Sequence, residues 1–192
     1  MNLSVKSAFS SSFYLRSFYT SNQSAAQAGS YRSKASTYLL LSADTKAIHN
    51  AVKKLSLMDF DEETNKGDID NSISAFVSTY NNLLGSSGSS DANSVRIARN
   101  RIKNIAKNYE NQLKEIGLSL DNKGTLKVDR DTLSEASLKK LKTLFSNSDE
   151  DSFASSIKKQ AKSIENYIRK HPPVTNATPS DTDSSSQIDL FL

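Results

Sequence analysis

The sequence predicts a mainly α-helical protein, an elongated antiparallel helical bundle or coiled coil with one small β-hairpin. Two observations carry this prediction. Apolar residues recur every three or four positions along several segments, which is the period of an amphipathic helix. Between two such segments, residues 118–128 alternate apolar and polar positions on both sides of a turn, as a pair of strands does.

Composition bounds the size of the core. The chain has 192 residues, of which 36% are hydrophobic, and its mean hydropathy is −0.54. These values indicate one domain of ordinary size with tails. Cysteine is absent from the sequence, which excludes disulfides and zinc–thiolate sites. No apolar run approaches the ~18 residues that a membrane span needs.

The net charge of +4 is concentrated in residues 1–43. Lys6, Arg16, Arg32 and Lys34 supply it, and this segment contains no acid. We therefore predict a flexible, basic, serine-rich arm rather than a folded basic face that binds DNA. Serines and Arg16 interrupt its apolar residues, so we expect no secretory signal peptide, although the composition is also typical of an organelle transit peptide.

Residues 44–170 are predicted to form the helical domain. Asp44 is a suitable N-cap for the first helix. The apolar residues that follow it at helical spacing are Ile48, Ala51, Val52 and Leu55. After an acidic loop at 59–68, a second helix carries Ile69, Ile73, Phe76, Val77, Tyr80, Leu83 and Leu84. The glycine–serine segment 85–90 is predicted to be a flexible linker.

The third helix is predicted to be the longest, and Gly117 ends it. Its apolar stripe is Val95, Ala98, Ile102, Ile105, Ala106, Tyr109, Leu113 and Ile116. The pairs Leu118/Leu120 and Leu126/Val128 then predict the hairpin. Gly124 can adopt the positive φ that its turn requires.

Two more helices complete the predicted domain. Residues 129–131 cap a fourth helix with the apolar residues Leu133, Ala136, Leu141, Leu144 and Phe145. After a break at 147–151, a fifth helix carries Phe153, Ile157, Ala161, Ile164, Tyr167 and Ile168, and Pro172 and Pro173 follow it. Single stripes of this kind need partners, either in an antiparallel bundle or in other subunits. Residues 171–192 are predicted to be a disordered tail with an apolar end.

Three of these segments resemble one family. Residues 73–83 are similar to the FV-x-x-YN-x-L helix in the C-terminal part of the flagellar filament-capping protein, also called hook-associated protein 2. Residues 113–133 resemble that family's L-x-x-IGI-x-x-x-x-DG-x-L-x-x-D-x-x-x-L segment. Residues 144–157, with their Leu-Phe and Phe-Ala pairs, match the element that follows. The resemblance covers about residues 66–168.

The resemblance implies a non-enzymatic assembly protein of the bacterial flagellum, a short cap-like paralogue. Members of this family form ring-shaped oligomers that cap the growing filament and help flagellin to fold into place. They leave through the flagellar export apparatus, which implies an extracellular location without a cleaved signal peptide. The implied partners are a second copy, the cap protein, flagellin or an export chaperone. Family members are longer, and their β-rich head would be inserted at 85–90.

The residues themselves indicate no enzyme and no cofactor. The two histidines, His49 and His171, are expected to be an exposed helix residue and a helix-end residue, and no nucleophile elbow is present. An imperfect EF-hand register is formed by Asp59, Asp61, Glu63 and Asp70. Thr64 stands where such a loop needs glycine, so we expect a turn rather than a calcium site.

A row of cations lies opposite the apolar stripe of the third helix. It consists of Arg96, Arg99, Lys103, Lys107 and Lys114. Such a row could follow the phosphates of a nucleic acid. The chain beyond residue 43 is neutral overall, so we expect a solvated helix face and no nucleic-acid partner.

The candidate partner-binding residues are Gln187, Ile188, Asp189, Leu190 and Phe191. They resemble the short peptide by which many bacterial proteins dock into the hydrophobic groove of the DNA sliding clamp, with a departure only at Ile188. The alternative function is therefore a cytoplasmic adaptor that binds the clamp or another partner through this peptide. The remaining interpretations are an apolar segment that folds back on the helices or one that meets an export chaperone.

Overall fold

A computed structural model describes residues 9–20, 22–26, 30–61, 64–146 and 151–173. Within these residues the chain is mainly helical and has one antiparallel pair of strands, so the predicted fold class is confirmed. No helix among them is both long enough and apolar enough to cross a membrane.

The helices are α1 (Ser11–Phe18), α2 (Ser30–Lys34), α3 (Thr37–Ser56), α4 (Lys66–Gly88), α5 (Asn93–Asn108), α6 (Glu110–Lys114), α7 (Arg130–Glu135), α8 (Leu138–Phe145) and α9 (Phe153–Lys170). A 3₁₀ turn covers Gln23–Ala26, and the strands are β1 (Leu118–Leu120) and β2 (Leu126–Val128).

Four long helices form the centre of the fold. Helix α3 packs against α4 and α9, and α5 packs against the same two helices. Helices α3 and α4 are antiparallel, because residues 57–65 join the end of α3 to the start of α4, while Asp44 in the first half of α3 and Asn82 in the second half of α4 bond to the same Tyr19 hydroxyl. The apolar stripes meet inside this arrangement, where Ile48 and Ile102 have no exposed surface. The stripes therefore find their partners within one chain.

An aromatic cluster joins α4, α8 and α9. The ring of Phe76 lies 5.5 Å from that of Phe145 and 6.0 Å from that of Phe153, both in edge-to-face geometry. Tyr80 and Tyr109 complete the cluster around Phe153. Such pairs add to the stabilisation that comes from burying the rings, so this cluster fixes how the three helices pack.

The hairpin forms where the sequence predicts it. Leu118 pairs with Val128 and Leu120 with Leu126. Gly117 and Gly124 have φ values of 79° and 86°, a backbone conformation that residues with a side chain rarely adopt. A Cβ at Gly117 would also lie 2.7 Å from the carbonyl oxygen of Asp129. The end of the preceding helix and the turn therefore both depend on glycine.

Residues 1–43 are not the flexible arm that their composition predicts, as far as they are described. Ser10 caps α1, and the side chains of Tyr14, Phe18 and Tyr19 are buried in the core. Helix α3 begins at Thr37, and its N-cap Ser36 lies eight residues before the predicted N-cap, Asp44. The prediction failed because the cations were treated as solvated, whereas the fold neutralises one of them internally.

The glycine–serine segment 85–90 is not a linker either, because α4 continues to Gly88. The hydroxyls of Ser86 and Ser87 are buried and donate hydrogen bonds to the carbonyl oxygen of Leu83. Serine side chains can bond to the preceding helical turn in this way, so a serine-rich segment can remain helical when it is packed. Gly88 lets the Arg99 guanidinium lie against the helix.

Two predicted helices are each divided into two. The third breaks at Tyr109, so α5 and α6 replace one long helix. The fourth breaks at Ala136, whose ψ of 141° is extended, and gives α7 and α8. The fifth is confirmed as α9, with the Ser152 hydroxyl accepting a hydrogen bond from the Ser155 amide. Leu113 and Leu133 remain buried, so the apolar face is preserved across each break.

Candidate interaction site

The hairpin is held by two adjacent side chains of α4. The Tyr80 hydroxyl donates to the carbonyl oxygen of Gly124 at 2.8 Å. The Asn81 amide group donates to the carbonyl oxygen of Leu126 at 2.8 Å and accepts from its N–H at 2.9 Å. Burial, and then the nearby charge of Asp121, raise the pKa of Tyr80, so the phenol stays a hydrogen-bond donor. These contacts join the second predicted helix to the predicted hairpin.

A buried polar cluster ties the first residues of the chain to α3 and α4. The Arg32 guanidinium bonds to both carboxylate oxygens of Asp44, at 3.0 and 2.8 Å. The Tyr19 hydroxyl donates to Asp44 at 2.7 Å and accepts from the Asn82 amide at 3.0 Å. Burial and the Asp44 charge raise the pKa of Tyr19. Asp44 is thus a buried anion inside a helix rather than an N-cap.

The outer side of α1 and α3 carries a groove with large apolar side chains. It consists of two depressions of about 220 and 360 Å³, and both are lined by Phe18. Phe13 and Leu57 line one of them and are 45% and 72% exposed, while Leu39 lines the other and is 39% exposed. We call this surface the α1–α3 groove.

Three lysines of α3, Lys46, Lys53 and Lys54, also line the α1–α3 groove. All three are exposed, and within the described residues none of them forms an ion pair. The groove therefore combines apolar side chains with positive charge. Exposed apolar side chains that adjoin one another mark interaction surfaces more often than scattered ones do.

Sequence reasoning missed this surface. Phe9 and Phe13 stack with their ring centres 4.5 Å apart, one turn from each other, and Phe9 is 54% exposed. Their spacing of four was visible in the sequence, but the serine-rich context favoured an unstructured arm. Leu57 directly follows α3, where periodicity no longer assigns a residue to a face.

The two histidines lie in different surroundings. His49 is half-buried, not exposed as predicted, and its Nε2 lies 3.3 Å from a carboxylate oxygen of Glu165. Burial lowers the pKa of His49 below its ordinary value, and the positive charges of Lys162 and Lys158 lower it further. The negative charge of Glu165 raises the pKa but does not offset these effects. His171 follows α9 and stacks on Tyr167, with ring centres 4.4 Å apart.

The predicted row of cations is largely engaged with its own chain. Arg96 bonds to Asn93, and Arg99 donates to the carbonyl oxygen of Leu84. The methylenes of Lys103 lie against the turn at Gly124, and Lys107 pairs with Glu110. Lys114 lies on α6. These contacts favour a structural role for the row over phosphate binding.

The acidic loop contains turn contacts. Asp61 accepts hydrogen bonds from the amide and hydroxyl of Thr64, and Asp70 lies 3.5 Å from the Lys66 ammonium in an ion pair one turn apart. Among the residues that the structure describes, no three acidic or histidine side chains group closely enough to hold a metal ion.

The candidate partner-binding residues Gln187, Ile188, Asp189, Leu190 and Phe191 lie outside the described residues. Helix α9, which precedes them in the chain, is described. Tyr38, which lines the α1–α3 groove, has its hydroxyl 3.5 Å from the carbonyl oxygen of Ile168 near the end of α9. The chain therefore leaves α9 beside one end of this groove.

A scan against models of protein families, a search of curated proteins and a search of solved structures each found no match to this chain.

Proposed function

We propose that this protein is a non-enzymatic assembly protein of the flagellar-cap type, which is exported and acts outside the cell through protein–protein contacts. What supports the proposal is the pair of side chains Tyr80 and Asn81, which belong to one cap-like segment and bond to the hairpin turn of the next. The resemblance thus falls on residues that act together as one helix–hairpin unit. Its partners are the cap protein, flagellin or a second copy, with an export chaperone before export.

In this proposal the partners meet an already folded surface. The apolar stripes of the helices are buried within the chain, so they are not open seams for a coiled coil with other subunits. The contacts that assemble the protein are made by outer helix faces and the hairpin.

The location of the protein tests the proposal. Immunoblots of cytoplasm, culture medium and sheared filaments from motile cells are compared with those from an export-defective strain. We expect the protein in the medium or filament fraction only when export functions. Retention in the cytoplasm of both strains contradicts the proposal.

A binding measurement tests the unit itself. Asn81→Ala removes both side-chain bonds to the Leu126 backbone, so we expect weaker capture of purified cap protein or flagellin. The matched control is Asn104→Ala, an exposed asparagine of α5, which should bind as the unchanged protein does. Equal binding by the unchanged protein, Asn81→Ala and Asn104→Ala would show that the helix–hairpin unit does not form the contact with cap protein or flagellin.

A second candidate is a cytoplasmic adaptor that docks on the DNA sliding clamp. The observation that favours it is the match of residues 187–191 to the clamp-binding peptide at all positions except Ile188. It predicts cytoplasmic retention and clamp binding that is lost on Gln187→Ala or on the double substitution Leu190→Ala/Phe191→Ala. The same immunoblots therefore separate the two candidates.

A further inference from the structure

We propose that the apolar segment 188–192 docks intramolecularly in the α1–α3 groove. The proposal goes beyond the assembly function and does not depend on it. It rests on the shape and exposure of the groove, on the position where the chain leaves α9, and on the charges of the two surfaces.

The groove offers depressions for apolar side chains. Its two depressions, of about 220 and 360 Å³, are joined through Phe18 and bounded by exposed apolar groups such as Phe13 and Leu57. The segment 188–192 supplies isoleucine, leucine and phenylalanine side chains within five positions. Short apolar peptides bind such surfaces by placing a few anchors in adjacent depressions.

The segment is tethered beside the groove. The end of α9 lies at Tyr38, and α3 runs from there along the groove towards Leu57, a distance of about 29 Å at the helical rise. The fifteen residues 174–188 can span up to about 50 Å when extended. A tether of this length keeps the segment at an effective concentration in the millimolar range, so even weak anchors would be occupied.

The charges of the groove favour residues 174–192 over residues 1–8 as its occupant. Residues 174–192 contain Asp181, Asp183 and Asp189 and no lysine or arginine. The groove is lined by the three lysines of α3. Residues 1–8 contain Lys6 and no acid, so the same lysines would repel them.

Paramagnetic relaxation tests the docking in the full-length chain. Because the sequence has no cysteine, Ser186→Cys gives a single site for a nitroxide label. We expect selective loss of amide signals along the α1–α3 groove, at Ser17, Ser42 and Lys53, and full recovery after the label is reduced. Amides of Asn100 and Asn104 should keep their intensity. They lie on α5, which α4 and α9 separate from α3 and its groove.

Three controls make the result decisive. Adding Leu190→Ser/Phe191→Ser to the labelled chain should restore the groove signals. Lys53→Glu/Lys54→Glu should restore them in part, whereas Lys139→Glu/Lys142→Glu, the same charge change at exposed positions of α8, should not. Uniform signal loss, or no loss in the groove, overturns the proposal. A separate mixture contains the labelled chain without isotope enrichment and an enriched chain without the label. Loss of the groove signals of the enriched chain in this mixture assigns the groove to a second copy and also overturns the proposal.

Discussion

Asp44 illustrates how a single residue determines the folding of a whole segment. Its carboxylate has no exposed surface and receives hydrogen bonds from Arg32 and Tyr19, which come from two separate parts of the first 43 residues. A buried carboxylate is tolerated only when donors replace the water that it loses. The buried anion and the folded N-terminal residues therefore require each other.

Replacing Arg32 with methionine should lower the free energy of unfolding by about 3–5 kcal/mol, because it leaves a buried carboxylate without its charged partner. Urea denaturation measures the change. Lys34→Met removes an exposed cation of the same helix and should change stability by less than about 0.5 kcal/mol. Equal effects of the two substitutions would contradict the role assigned to Arg32.

His49 should make stability depend on pH. Burial lowers its pKa below the ordinary value of 6.5, so the unfolded chain binds the proton more readily than the folded one. Its contribution to stability is therefore complete above pH 6.5 and is lost as pH falls through the folded pKa. Glu165, Lys158 and Lys162 face the ring and contribute to the same equilibrium.

The test is denaturation between pH 8 and pH 5. We expect the unchanged protein to lose stability below about pH 6.5, and His49→Gln to show a flatter profile over this window. His171→Gln, at the end of α9, is the matched substitution. An unaltered profile for His49→Gln would exclude this residue as the source of the pH dependence.

At the level of elements, α4 determines where the hairpin lies and how far the helix extends. Tyr80 and Asn81 point to the turn and to β2, while the serines that follow them keep the helix intact to Gly88. Gly85 lies inside this helix, and a Cβ there would meet no atom within 4 Å. Its lack of a side chain is therefore not required for packing.

Gly85→Ala should raise the free energy of unfolding by about 0.5–1 kcal/mol, because alanine loses less backbone entropy than glycine inside a helix. The contrasting substitution is Gly117→Ala, which should destabilise because of its positive φ and the 2.7 Å approach to a carbonyl oxygen. Thermal and urea denaturation measure both. A flexible linker at 85–90 would instead leave stability unchanged in Gly85→Ala.

At the level of the whole molecule, the residues that the structure describes form one core, and the first of them belong to it. Tyr14 and Phe18 are buried, and the next residue, Tyr19, bonds to Asp44 in the polar cluster. Helix α1 contacts both α3 and α4, so the N-terminal residues complete the core rather than extend from it.

Removal of residues 1–36 should abolish or strongly weaken cooperative unfolding, because it exposes the α3–α4 surface and leaves Asp44 without its donors. Removal of residues 174–192 should preserve it, because the described helices pack without them. Circular dichroism melts of both truncated chains check the contrast. A cooperative melt at an unchanged temperature for the first chain would restore the flexible-arm interpretation.

The hairpin could be predicted from the sequence alone, whereas the α1–α3 groove and the contacts between α4 and the hairpin could not. The hairpin was predictable because its alternation and its glycines act over a few residues. The α1–α3 groove was not, because it needs α1 to fold, and α1 folds against side chains that lie far along the chain. The same holds for the bonds from Asn81 to the hairpin, since residues 45 positions apart show no periodic relation.

By itself, the sequence determined the helical class, the hairpin, the positive-φ glycines and the last helix, since each depends on local periodicity, backbone geometry or capping. Only the tertiary structure decided that the N-terminal residues join the core, that α4 continues through its glycine–serine end, and that two helices break at Tyr109 and Ala136. The physical reason is that burial, ion pairing between distant residues and the direction of packing depend on contacts that local patterns do not encode.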